Sequence, residues 1–179
     1  MQSCAKLEFK FNNSTDALIA SLQHMLAYIT DIIPAEADND DILFRCKVII
    51  TELLTNAIKH AGENITSFDI ETDTRQLIIR KTDHGSPLYL VDMHDHSPAD
   101  KPANKKLISA DPLNSLYACW ESESSIRFVS EEGSMDDFLA VEEVMEHFGI
   151  LIISRSADEF TYTYDKEIGS NTFRVRIDF

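Results

Sequence analysis

Leu7, Phe9 and Phe11 alternate with Glu8, Lys10 and Asn12 near the start of the chain. This period of two predicts a strand with one buried face. The spacing changes behind a cap candidate at Asn13 or Ser14. Leu18, Ile19, Leu22, Met25, Leu26 and Ile29 then recur at three and four, which predicts an amphipathic helix ending before Pro34. The acidic stretch 36–41 supplies the N-terminus of a second helix, expected to run to about Ala61, to stop near Gly62 and to be the longest element. Phe68 and Ile70, and the apolar run 77–79, predict the two strands of a hairpin. Near the other end Phe160, Tyr162 and Tyr164 alternate with polar neighbours, as do Phe173, Val175, Ile177 and Phe179, with Gly169-Ser170-Asn171 as the turn between them. A further helix is expected over 135–148, with Phe138, Val141, Met145 and Phe148 on one face.

Strands with alternating faces need cover on one side, and three amphipathic helices are available to supply it. The pattern therefore predicts an α+β, two-layer α/β sandwich with a mostly antiparallel sheet covered by helices on one face. One domain over 1–179 is expected. Residues 92–134 carry no clear pattern, and a connection longer than about 12 to 15 residues is usually functional or partly disordered. They read as a mobile lid or insertion.

Composition narrows the partners. The chain has 179 residues, with 16 Lys and Arg against 31 Asp and Glu, and a net charge of −15. Such a charge repels phosphate backbones and anionic lipid, so neither nucleic acid nor a membrane is an expected partner. No apolar run approaches the roughly 20 residues that span a bilayer, and the first residues hold no apolar signal core. A cytoplasmic location is expected. Cys4, Cys46 and Cys119 are far apart and form no CxxC pair, so they read as reduced thiols, Cys46 as a small buried hydrophobe.

Candidate chemistry lies on the second helix, where Glu52, Asn56 and His60 recur at i, i+4 and i+8 beside Lys59. By periodicity alone this stripe is a solvated face. A second feature follows it: Thr82-Asp83-His84-Gly85-Ser86-Pro87 closes the hairpin with an Asp two residues before a Gly and a Pro two further on. The loop cluster Asp92, His94, Asp95 and His96 has the residue types of a metal site, but ligands so close in one loop rarely close a coordination shell, and it reads as solvated.

The stretch 52–61, Glu-Leu-Leu-Thr-Asn-Ala-Ile-Lys-His-Ala, together with Asp83-x-Gly85-x-Pro87, resembles two nucleotide boxes of the GHKL ATPase superfamily, most closely the anti-sigma-factor serine/threonine kinases. Gly149-Ile150-Leu151 running into Asp158-Glu159 looks like that family's glycine box, with His147 where the family has its first glycine. Ser170-Asn171-Thr172-Phe173 resembles its last box. The resemblance implies the Bergerat-type ATP-binding fold and ATP with Mg²⁺ as ligands. It implies that Asn56 ligates Mg²⁺ and that Glu52 is the catalytic proton acceptor. Asp83, Gly85, Pro87, Gly149 and Thr172 would hold the nucleotide, Asp83 by accepting from the adenine amino group. The activity it implies is transfer of the ATP γ-phosphate to a serine of an antagonist protein, by a regulator that also binds a sigma factor. A non-catalytic nucleotide-binding adaptor is the alternative. Members of the family commonly dimerise, which extends the implication to a homodimer.

Overall fold

The computed structural model describes residues 5–34, 37–73, 75–88, 105–110, 113–132 and 148–179. Strand β1 (Ala5–Asn12) leads into helix α1 (Thr15–Ile32), whose N-cap is Ser14; its side chain accepts from the Ala17 N–H. Ile33 takes an extended conformation ahead of Pro34 and ends that helix. Helix α2 (Asn39–His60) is capped by Asp38, carries Asp40 and Asp41 in its first turn and Lys59 and His60 in its last, and so matches its macrodipole at both ends. It buries Ile50, Leu53, Leu54 and Ala57 and leaves Lys59 and His60 exposed, as its periodicity predicts. Ile19 departs from the pattern of α1, being exposed.

Strands β2 (Ile65–Thr72) and β3 (Gln76–Asp83) form the expected hairpin. Strands β4 (Lys105–Ala110), β5 (Asn114–Ser122) and β6 (Ser125–Glu132) follow, then helix α3 (Phe148–Ser156) and the terminal pair β7 (Glu159–Asp165) and β8 (Ser170–Asp178). The turn into β8 is closed by Gly169, at φ +65°, a conformation that disfavours any residue with a Cβ. The strands of the described residues lie in one sheet of order β1-β2-β3-β8-β7-β6-β5-β4.

The fold expectation is overturned. The described residues form mostly an eight-stranded sheet, antiparallel at each pairing, with three helices, not a helix-covered two-layer α/β sandwich of the Bergerat type. The cause lies in the segment read as a lid. Leu116, Ala118 and Trp120 alternate on β5, and Ile126 and Phe128 on β6, and they extend the sheet by three strands. Their signal is weak in sequence because the turn between them is Glu123-Ser124, without Gly, Pro or Asn, and because β4 and β5 each carry buried serines, Ser109 and Ser115. The helix expected over 135–148 lies outside the described residues up to 147, as do Asp92, His94, Asp95 and His96.

One face of the sheet carries Phe68 and Ile70, Leu77 and Ile79, Val175 and Ile177, Phe160 and Tyr162, in register across four strands. These pack with Met25, Ile29, Ile50, Leu53 and Leu54 in one buried cluster. Truncating a member such as Leu54 to alanine costs about 2–5 kcal/mol. Cys46 lies inside the cluster and burial pushes its thiol up to about 12, which removes it as a nucleophile. No helix among the described residues is long and apolar enough to cross a membrane.

Candidate functional site

The polar stripe of α2 is shaped by its apolar side. With Leu53, Leu54 and Ala57 turned into the core, Glu52 and Asn56 are left half-buried one helical turn, about 5.4 Å of rise, apart. The start of α3 meets them there. A Cβ on Gly149 would lie 2.8 Å from Glu52 Oε2 and 3.8 Å from each terminal atom of the Asn56 amide. Glycine therefore permits this close contact between Gly149 and the two side chains.

The second group sits where β3 ends. Leu77, Ile79, Lys81 and Asp83 alternate onto the core side, so the last two put charges where the pattern calls for apolar residues. Lys81 and Asp83 are 2% and 4% exposed. Lys81 Nζ lies 2.5 Å from Asp83 Oδ2 and 4.9 Å from the centre of the Phe173 ring. Asp83 Oδ1 accepts from the Gly85 N–H at 3.0 Å and from Asn171 Nδ2 at 3.0 Å. Asn171, opposite Asp83 on β8, also donates to the carbonyls of Gly85 and Ser86. Tyr162 fixes its orientation by donating to Asn171 Oδ1 at 2.7 Å, and the same hydroxyl accepts from the Leu88 N–H at 2.8 Å. Residues 83–88 are thus tied to β7 and β8.

Burial sets the electrostatics of this knot. It drives the Lys81 amine below its ordinary value, outweighing the attraction of Asp83. It also pushes the Asp83 carboxyl upward, but Lys81 and the hydrogen bonds from Gly85 and Asn171 more than reverse that, so the carboxyl titrates below its usual range. Tyr162 is pushed up to about 12, chiefly by burial. Asp83 is therefore a carboxylate and Tyr162 a neutral donor at neutral pH.

Gly85 joins the two groups. Its Cβ would lie 2.9 Å from both the Gly62 nitrogen and the His60 carbonyl oxygen, so the loop after β3 packs against the end of the helix that carries Glu52 and Asn56. Both contacts are backbone atoms that cannot swing away.

The structure thus brings Glu52, Asn56 and Gly149 together, and Asp83 with Gly85. Half-buried Pro87 follows Ser86, whose carbonyl Asn171 holds. Thr172 is not beside Asp83: it lies opposite Thr82, hydroxyl to hydroxyl at 3.4 Å, on the other face of the sheet. Asn171 occupies the place beside Asp83, and sequence reading treated it as a turn residue. Its signal was parity, since 171, 173, 175 and 177 form one inward series with an amide at its end. Lys81 was missed in the same way. His147 lies outside the described residues.

Among the described residues no group of three or more His, Cys, Asp or Glu could hold a metal ion. Glu52 and Asn56 supply two oxygen ligands at most, which fits Mg²⁺, an ion that keeps several waters and takes phosphate oxygens, and does not fit a closed structural site. No family model matches this chain, and no curated protein matches it.

Proposed function

We propose that this chain is an ATP-binding regulatory protein resembling the anti-sigma-factor serine kinases. The supporting observation is convergence: sequence segments around Glu52, Asp83 and Gly149 come together at the C-terminal half of α2, with Gly85 on the helix end and Gly149 on Glu52 and Asn56. Asp83 accepts from the exocyclic amino group of adenine. An ionised carboxylate has about four acceptor sites; Lys81, Gly85 and Asn171 fill three, which leaves room for one such bond. Asn171 steadies that carboxylate, and Gly85 lets the loop that carries it pack on the end of α2.

Asn56 Oδ1 would be the side-chain ligand offered to Mg²⁺, which would supply neutralisation of the phosphate charge. Glu52 takes the proton of the attacking serine hydroxyl as that oxygen bonds to the γ-phosphorus and ADP leaves. The partners of this reading are an antagonist protein bearing the serine, a sigma factor, and a second copy of the chain in a homodimer.

A non-catalytic adaptor is favoured by one observation, the engagement of Asp83 by Lys81 in a buried ion pair, which serves a fixed architecture as well as a binding one. Phosphate transfer separates the two readings. Incubation with labelled ATP, Mg²⁺ and an antagonist protein should label a serine with wild type and not with Glu52→Gln. ATP binding without transfer in either protein supports the adaptor, equal transfer in both removes Glu52 as the base, and no ATP binding at all ends both readings.

A further inference from the structure

The sheet has a slot in it. Strand β7 pairs with β6 only from Ser125 to Phe128, and β7 begins at Glu159. Beyond Phe128, residues 129–132 pair with β5 on one side, and among the described residues no strand pairs with them on the other. Across the gap the edge of β8 is already covered: Asp158 N–H donates to the Arg176 carbonyl and Asp178 N–H to the Asp158 carboxylate. A cleft of about 530 Å³ lies there, lined by residues 129–132 on one wall and by Ser154, Arg155, Asp158 and Arg176 on the other. It occupies the position that β7 would fill if it started earlier.

The polar groups of the cleft are unevenly satisfied. Its carboxylates are largely matched: Glu131 by Lys105 at 2.5 Å, Asp158 by Arg45 at 2.5 Å, and Glu159 by Arg174 and Arg176; Glu132 is exposed. The donors are not. Arg155 donates to the neutral amide oxygen of Asn114, so its charge faces no carboxylate in that bond. Arg176 Nε is buried without a hydrogen bond, 3.2 Å from Asp178 Oδ1 but misaligned, and the Ser154 hydroxyl is buried without one. Arg127, at the mouth, meets Glu121 at 3.3 Å in an exposed pair. Arg155 is exposed at the rim of the slot, so its guanidinium is accessible to a ligand that brings a carboxylate.

We propose that this slot binds an extended peptide segment that carries a carboxylate side chain, adding a short strand against residues 129–132. Four residues of strand span about 13 Å, and the backbone of such a segment pairs with the open edge of β6. Its carboxylate takes the guanidinium of Arg155, the planar donor suited to that group. The site is remote in sequence from Glu52, Asn56 and Asp83 and stands without the nucleotide reading.

The test is fluorescence anisotropy with a labelled peptide of alternating valine and glutamate, added to the full chain. Saturable binding is expected, weakened about tenfold by Arg155→Gln, weakened by salt, and lost when alternate peptide nitrogens are methylated. A valine–lysine peptide should not bind. N-methylation changes only the peptide, so that arm holds whatever the substitution does to folding, and the melting temperature of Arg155→Gln reports that directly. No saturable binding of the valine–glutamate peptide overturns the proposal, as does binding indifferent to both methylation and Arg155→Gln.

Discussion

Glu52 with Asn56, and Asp83 with Lys81, are both polar groups set into an apolar frame, yet they differ in burial. The first pair is half-buried and faces the start of a helix; the second is sealed, with the carboxylate engaged by three donors. The difference decides what each can do. A half-open carboxylate can exchange partners with a ligand at small cost, whereas a sealed ion pair is held by the fold and holds it in return. Breaking such a pair by removing one partner is costly because the other charge remains buried, even where the pair itself adds little over apolar residues. The knot at Asp83 therefore positions residues 83–88 and holds one remaining acceptor site at a fixed place, while the stripe on α2 is the part that can exchange partners.

The contrast breaks most visibly at Asp83. Asp83→Ala strands the Lys81 charge and should destabilise by about 3–5 kcal/mol, read as a lowered urea midpoint at unchanged slope. Adding Lys81→Met to it should recover part of the loss, and strictly additive effects would mean that the two groups do not interact. Gly85→Ala comes next. Its methyl meets two backbone atoms at 2.9 Å, and overpacking of this kind costs about 1–3 kcal/mol. Gly149→Ala meets the movable tip of Glu52, so it should leave the melting temperature close to wild type while impairing transfer. Smallest in stability is Glu52→Gln, expected within about 0.5 kcal/mol of wild type.

Acid sharpens the same comparison. The folded pKa of Asp83 lies below its unfolded value, so its contribution is complete above the unfolded value of about 3.9 and fades as pH falls from there through the folded pKa. The gap in unfolding free energy between wild type and Asp83→Asn should therefore narrow below about pH 4. A gap independent of pH down to acid unfolding would contradict a depressed pKa. Asp158, Glu71 and Asp73 are lowered as well and shape the acid limb of both proteins alike.

Sequence carried some of this well. The cap at Ser14, the start of α2 within the acidic stretch 36–41, the inward face of α2 and both hairpins follow from local periodicity and turn chemistry, which act over a few residues. It carried β4 to β6 poorly, because Ser109, Ser115 and the Glu123-Ser124 turn hide strand alternation, and pairing with distant partners leaves no local mark. Glu52 and Asn56 were legible as a stripe and Asp83 as a turn residue. That Lys81 would neutralise Asp83, and that Asn171 rather than Thr172 would stand beside it, depend on the register of β3 against β8, which only the folded sheet fixes.

The nucleotide reading rests on Asn56, whose loss should leave the fold intact. Calorimetric titration of wild type and Asn56→Ala with ATP, each with and without Mg²⁺, measures it directly. Wild type should bind ATP saturably and more tightly with Mg²⁺, and Asn56→Ala should lose the Mg²⁺ dependence while its melting temperature stays near wild type. No heat of binding in wild type, or a Mg²⁺ dependence unchanged in Asn56→Ala, would contradict it.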